Sequence, residues 1–479
     1  MIKRIFTLSL FMIIIVPEIV YPFSVIPVSS GRAELFVYPT DYPAEKEISE
    51  DKHFMIAISN TLLSNLFLLG VNRYVRQAEY GQVSFNTMRR NVTGNWVWDQ
   101  DEFSVNHLGH PYQGSTYFIA GRANGLDFYQ SALLTMGGSI FWELFCETET
   151  PSYNDLVVTT MGGMAVGEML HRLYIELYDS SPFFSTLVSP MDAFNRFVSG
   201  ESPKSNAKGK ITELALTLTG GSVVSYVDFK DDQRDKDDKD MPITIGGGLD
   251  VVYGKPYGLR ARTPFSHFQF ACDLIWGQDY FSFVFFSDAM LFSFSPFSGD
   301  PFKTSIGMGL HYDVIYSDLI QFSGNSIGFS CKQQISLPRD NTIQWALHLN
   351  WLTLGATDYY YFASGEIAKP ESGEERRDYD LGTGENIKCS LAYSQPFLGT
   401  FSASYIFIGL HTFASSVPKE GSEGFTMIGI WDLSYEHRLW GESWIGMSNS
   451  FYHKNGFYSK AIDISHRADF ASLYVKTRF

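Results

Sequence analysis

The sequence predicts an α+β chain, an N-terminal all-α helical module followed by an antiparallel transmembrane β-barrel of about 12 strands. Three observations predict it. Between Ile56 and about Phe197 the apolar residues recur at helical spacing. From about Ile211 onward the period becomes two and stays there. The chain closes on "DFASLYVKTRF", in which Ala471, Leu473, Val475 and Thr477 alternate up to a terminal Phe479.

The first element expected is an export signal over residues 1–24. Lys3 and Arg4 form a basic start, Ile5 to Val16 an apolar stretch, and Pro17 a break. That stretch is shorter than the roughly 20 residues a spanning helix needs. Residues 25–52 read as an extended segment and 53–200 as the helical module. Its first helix, "HFMIAISNTLLSNLFLLGVNRYV", carries Ser59, Asn60, Ser64 and Asn65 among leucines, so it reads as amphipathic rather than as a membrane span. Further helices are expected over Ser115 to Asn124, Leu126 to Phe145 and Asp155 to Tyr178. The last follows a break and a capping side chain in Pro151, Ser152 and Asn154, and its Gly163 and Gly167 would let another backbone come close. Five or six helices are expected in all.

Residues 201–210 sit within a polar Gly/Ser/Pro stretch that reads as a linker, and 211–479 as the barrel. "SIGMGLHYDVIY" sets Ile306, Met308, Leu310, Tyr312, Val314 and Tyr316 against Ser305, Gly307, Gly309, His311 and Asp313. "TIQWALHLNW" does the same with Ile343, Trp345, Leu347, Leu349 and Trp351 against Gln344, Ala346, His348 and Asn350. One face suits lipid, the other water. Alternate connections tend to be long or charged, as at Lys230 to Asp240, Ala356 to Gly384, Ala414 to Gly424 and Lys454 to His466; those between them are mostly tight. Two connections break the rule: "GQD" after Trp276 is short for an outer loop, and Tyr253 to Thr263 is long for a periplasmic turn.

Composition agrees. Phe 40, Tyr 27 and Trp 9 accompany Gly 41, as in barrels girdled by aromatics. Lys+Arg 36 against Asp+Glu 52 leaves a net charge of -16 with no basic stripe, which excludes nucleic acid as an expected partner. Cys146, Cys272, Cys331 and Cys389 lack metal or disulfide spacing and read as small apolar fillers. The acidic run "KDDQRDKDDKD" lacks the Gly and closing Glu of a regular calcium loop and reads as a solvated outer loop.

Three stretches, "WDQDEFSVNHLGHPYQGSTYF", "GSIFWELFCETETPSYNDLVVTTMGGMAVGEMLHR" and "SPMDAFNRFVSG", together resemble the bacterial family known as domain of unknown function 3943, over about residues 96–198. The resemblance covers about a fifth of the chain. It implies a helical module of exported envelope proteins, sometimes placed ahead of a barrel, and no settled activity. The C-terminal stretch resembles the β-signal of outer-membrane proteins. That implies insertion by the barrel-assembly machinery, which would read Phe479 and the alternating residues before it by strand pairing.

Catalytic candidates in the module are His107, His110, Glu143, Glu168, His171 and Asp99, with Asp101, Glu147 and Asp155 nearby in sequence. For a metal, the candidates are His107, His110, Glu168 and His171. Glu168 and His171, three apart, share a helix face, and so do Glu143 and Glu147, four apart. A Glu-x-x-His helix suits a di-iron bundle, which needs two such motifs; one is present. Pro111 disfavours an α conformation at His110, so "HLGHPYQG" is expected to be a turn entering a helix. A divalent metal would need three or four ligands at about 2.0–2.3 Å. Hydrogen bonding among these groups with Asn106, Asn154 and Arg122 is the preferred reading, and no cofactor is expected.

The function expected is that of an integral protein of the bacterial outer membrane, in contact with its lipid and with a structural or transport-related role. Its helical module would be periplasmic or inside the lumen, plugging or gating the barrel. Its rivals are an outer-membrane enzyme acting on lipid or envelope glycan through the His/Glu cluster, and a surface adhesin working through its long acidic loops. No elbow, P-loop or paired-cysteine motif singles out an enzyme class, and a small-molecule or lipid ligand is not specified.

Overall fold

The computed structural model describes residues 52–200, 210–229, 243–278, 280–317, 320–358, 377–417 and 421–479. The expected export signal, the extended segment before Lys52, nearly all of the linker and the acidic run from Lys230 to Asp240 lie outside the described residues. The chain divides into a helical unit, which takes in residues 52–200, Lys210 and Arg377, and a barrel unit of the remaining described residues.

Seven helices build the first unit: α1 (Phe54–Gly70), α2 (Phe85–Thr93), α3 (His110–Arg122), α4 (Phe128–Phe145), α5 (Tyr153–Tyr178), α6 (Pro182–Val188) and α7 (Pro190–Ser199). Local chemistry sets most starts. Asp127 and Gln130 form a capping box at α4, Ser84 and Thr87 another at α2, and the Ser152 side chain caps α5. Pro182 and Pro190 occupy the first turns of α6 and α7, where a missing N–H costs nothing.

At Pro111 the structure corrects the expected turn. Val105–Gly109 forms a π-helical turn that runs into α3, and His110 is helical at φ -62° and ψ -44°. Pro111 falls in the first turn of α3, and the wider turn before it spares the ring the clash with a preceding carbonyl.

Small residues bring helices α3 and α5 into backbone contact. A Cβ on Gly114 would lie 1.9 Å from the carbonyl oxygen of Thr159, and one on Gly163 would lie 2.6 Å from Gly114. Helix α1 is amphipathic in an inverted sense, because the buried positions include Asn60, Thr61 and Asn65. Asn60 donates to Asn195 of α7, Asn65 donates 3.2 Å to the carbonyl of Gly138, and Tyr117 donates to Asn65.

The second unit is a closed antiparallel barrel of 12 strands, as expected. They are β1 (Ile211–Phe229), β2 (Ile243–Tyr253), β3 (Phe268–Gly277), β4 (Tyr280–Phe294), β5 (Phe302–Ser317), β6 (Gln321–Leu337), β7 (Asn341–Asp358), β8 (Tyr379–Gln395), β9 (Gly399–Thr412), β10 (Gly424–Trp440), β11 (Ser443–Tyr458) and β12 (Ile464–Arg478). Each pairs with its sequence neighbours, and β1 pairs with β12 from Ala215↔Arg478 to Phe229↔Ile464, which closes the ring. A two-residue ladder at Ser298–Gly299 folds back on β5. The long Tyr253 to Thr263 connection is explained by pairing: Ala261 exchanges both backbone hydrogen bonds with Ser293, and Phe265 donates 2.7 Å to Met290.

Register fixes which face each residue takes. Leu218, Trp351, Leu391, Leu433, Met447 and Leu473 point outward and are exposed. Asp288, Asp313, Lys332, His348, Lys454 and Lys476 point inward and are buried. This is the reverse of a water-soluble fold. All four cysteines are free. Cys146 and Cys331 are buried as expected of fillers, whereas Cys389 is exposed on the outer face of β8, since its partner Tyr405 and its neighbours alternate outward.

Candidate functional site

Sequence candidates in the helical unit separate into networks with different partners. The first joins the loop before α3 to α4 and α5. Asn154 accepts 2.8 Å from the backbone N–H of Asp99, and Asn106 donates 2.8 Å to the Asp99 carboxylate. The Asp99 carboxylate also accepts from the backbone of Asp101. Glu143 accepts 2.8 Å from the backbone N–H of Ser152, and Asn154 donates 2.9 Å to Asp155. His110 pairs its Nδ1 with the Thr159 hydroxyl at 3.1 Å and turns Nε2 toward Asp155 at 3.6 Å. His107 is buried with its ring 4.7 Å from that of Phe103.

Burial controls the charge of this network. It pushes the Glu143 carboxyl up to about 8, with the nearby Asp155 acting in the same direction. Asp155 is likewise raised well above the usual range by burial, and then by Asp99. Burial lowers His107 to about 3, helped by neighbouring His110. His110 is also lowered by burial, against the pull of Glu143 and Asp99. Burial thus favours the neutral forms of Glu143, Asp155, His107 and His110.

Glu168 and His171 belong elsewhere. Glu168 receives Arg122 at 2.8 and 3.3 Å and Arg172 at 2.7 Å. Burial alone would raise its carboxyl, but the two guanidiniums outweigh burial and hold it below the usual range. His171 Nδ1 lies 2.7 Å from Asp192, which also accepts 2.6 Å from Ser189. Arg122 and Arg172 supply the positive charge that a metal beside Glu168 would supply. The pair Glu168/His171 thus ties α5 to α3 and α7 rather than sharing partners with His107 and His110.

Inside the barrel the lumen is layered. Along β12 the inward residues read His466, Ala468, Phe470, Ser472, Tyr474, Lys476 and Arg478. Ala468 and Phe470 belong to one buried apolar cluster with Val223, Ile275, Val284, Ile315, Phe322, Leu352, Ile406, Ile430 and Tyr452, which reaches around most of the ring. To one side of it Lys454 meets Asp358 at 3.3 Å and the Thr357 hydroxyl at 3.0 Å. On the other side Lys476 lies 3.1 Å from Asp250, while Arg478 meets Glu213 at 2.9 Å and Glu436 at 3.1 Å.

The same charged side holds a group that escaped the sequence reading. Ligand atoms of Asp288, His311 and His348 lie within 4.8 Å of one another, the one such group among the described residues. They stand on β4, β5 and β7. Next to them the β4–β5 ladder is interrupted between Phe285↔Val314 and Ala289↔Leu310. Side chains repair the gap: Ser287 N–H donates 3.2 Å to Asp313, Tyr312 N–H donates 2.9 Å to the Ser287 hydroxyl, and His311 Nδ1–H donates 3.0 Å to the Ser287 carbonyl. Three ligands are the number a catalytic zinc uses. Here, however, the Lys332 ammonium is paired with Asp288 and also donates 2.8 Å to His267 Nε2, and Lys388 lies 2.7 Å from Asp313 and 3.3 Å from the His311 ring. Lys332 and Lys388 already bring positive charge to this group as an ion-pair network, while Asp288 Oδ1 and His311 Nε2 are buried without a hydrogen-bond partner. Strand alternation had placed His311 and His348 on the water face; only the register could bring Asp288 to them.

Residues 95–194 match a family model described as Domain of unknown function (DUF3943). No curated protein matches the chain. Among solved structures, the NanC porin is 10% identical, covers 55% of this chain and 100% of its own, and superposes with a TM-score of 0.27. The Pseudomonas putida toluene transporter TodX is 8% identical over 57% of this chain and 90% of its own, with a TM-score of 0.24. A Pseudomonas aeruginosa FadL homologue is 9% identical over 56% and 90%, also at 0.24. Superposition this loose leaves the barrel to rest on its own strand pairing.

Proposed function

We propose that this chain is an integral outer-membrane barrel protein with a transport-related role, and that the barrel's own side chains close its passage. The observation that carries the reading is the inversion across the barrel wall, with leucine and tryptophan exposed outside and lysine, aspartate and histidine buried inside. A wall of that kind is stable where lipid bathes the outside, since exposed apolar surface in water costs about 25 cal/mol per Å².

The apolar layer around Phe322, Ile430 and Tyr452 separates charged clusters toward either end of the lumen. Passage of a polar solute would require those side chains to move, so the constriction belongs to the barrel wall. The sequence-level expectation that the helical module plugs or gates the barrel becomes a second arm of the test.

The full-length protein, purified in detergent and inserted in planar bilayers, is expected to conduct little at rest. A Phe322→Ala/Ile430→Ala/Tyr452→Ala variant should conduct steadily. If conductance instead rises only on deleting residues 53–200, the helical module holds the gate. Purification as a monodisperse protein without detergent would end the membrane reading itself.

A further inference from the structure

Helix α1 and the π-turn after it form a continuous run, Phe54–Val75, that is long and apolar enough to cross a membrane, the one such helix among the described residues. A core helix of a soluble protein with that composition would be mostly buried. This one is 28% buried over its most apolar window. Its sidedness explains why. The positions facing the bundle are Ala57, Asn60, Thr61 and Asn65, whose amides bond to α7, to the carbonyl of Gly138 and to Tyr117. The positions facing away are Met55 at 73% exposure, Ile58 at 40%, Leu63 at 54% and Leu66 at 51%. At 3.6 residues per turn they fall within an arc of roughly 140° along one side of the helix. No Asp, Glu, Lys or Arg occurs between Phe54 and Asn72, and the stripe is bounded by Lys52 at one end and by Arg73, exposed Tyr74 and Arg76 at the other.

The adjoining helix extends the surface, because Asn195 ties α7 to α1 while Phe194 and Phe197 of α7 are exposed. Such an exterior does not suit a lumen lined by aspartate and lysine. A protein partner would bring polar rim groups, yet over the roughly three turns from Met55 to Leu66 the stripe offers them only the hydroxyl of exposed Ser59. An apolar stripe ending in aromatic and basic residues is the pattern of a helix lying in a membrane interface.

We infer that the helical unit is seated on a lipid surface by the outward face of α1, with Met55, Ile58, Leu63 and Leu66 among the acyl chains and Lys52, Arg73 and Arg76 at headgroup level. The inference does not depend on whether the barrel conducts. It assigns the unit a monotopic attachment separate from the barrel's own insertion.

The test uses the full chain in nanodiscs of phosphatidylethanolamine and phosphatidylglycerol. With the four native cysteines replaced by serine, nitroxide labels at Ile58→Cys, Leu63→Cys and Leu66→Cys should be several-fold more accessible to oxygen, relative to a water-soluble nickel chelate, than a label at Arg89→Cys. Nickel access equal to that at position 89 would place the stripe in water, and loss of access to both reagents would place it under protein, a second copy included; either overturns the inference. The unaltered chain gives an independent readout should the cysteine variants fail to fold. A photoactivatable phospholipid in the same nanodiscs should label peptides spanning residues 54–75, and labelling confined to barrel peptides would overturn it equally.

Discussion

Glu143, near the end of α4, accepts a 2.8 Å hydrogen bond from the backbone N–H of Ser152, the residue that caps α5. One buried carboxyl thereby fixes the corner between two helices, and it does so while pushed up to about 8 by burial.

A pH dependence follows from Glu143 and His107 together. Glu143 binds its proton more tightly folded than unfolded, so its contribution is complete below about 4.5 and is lost as pH rises toward about 8. His107, lowered from 6.5 to about 3, stays neutral when folded, so its contribution is complete above 6.5 and is lost as pH falls. The two slopes oppose each other between those ordinary values. The helical signal at 222 nm should therefore be most heat-resistant from about pH 4.5 to 6.5 and weaken on both sides. Glu143→Gln should flatten the alkaline limb, and an unchanged limb would remove Glu143 as its source.

Glu168 neutralises the buried guanidinium of Arg172 and the partly buried one of Arg122. Its replacement by Ala strands Arg122 and Arg172 together, at a cost of about 3–5 kcal/mol. Urea unfolding of the helical signal should shift accordingly. A shift below about 1 kcal/mol would mean that water reaches the pair.

The α3–α5 contact can be tested with two glycines of opposite kind. Gly114→Ala places a methyl 1.9 Å from the Thr159 oxygen and should destabilise the unit by about 1–3 kcal/mol or more. Gly137→Ala adds a methyl into open space on α4 and should stabilise by about 0.5–1 kcal/mol. Equal effects at the two sites would contradict the close approach.

Phe479 donates its backbone N–H 2.8 Å to the Leu214 carbonyl at the seam between β1 and β12, and its ring is exposed. Deleting it removes one hydrogen bond, about 0.5–1.5 kcal/mol, too little to unfold a closed barrel. If the terminal residue serves recognition by the assembly machinery, the truncated chain should refold normally in micelles while its folded yield in cells drops. Equal yields in both settings would leave Phe479 with only its bond.

Much of the barrel was legible because strand alternation is local. His311 and His348 could be assigned to the water face from their immediate neighbours, and the approximate strand number from the count of alternating segments. The helical unit was less so. His110 was expected in a turn because Pro111 restricts its neighbour, but a π-turn one step earlier relieved the clash, and such a turn has no sequence mark. Asn60 and Asn65 marked α1 as amphipathic without saying which face would be buried, since a polar face can meet water or a bundle of amides equally well.

By itself the sequence determined the change of period near Ile211, a barrel of about 12 strands and the sidedness of segments such as Ser305 to Tyr316 and Ile343 to Trp351, because successive side chains along a strand alternate between its two faces. Tertiary structure alone decided which distant groups meet. It put Asp288 beside His311 and His348, gave Glu168 to two arginines, and turned the amides of α1 inward, because cross-strand register and helix packing are settled by contacts between residues far apart in the chain.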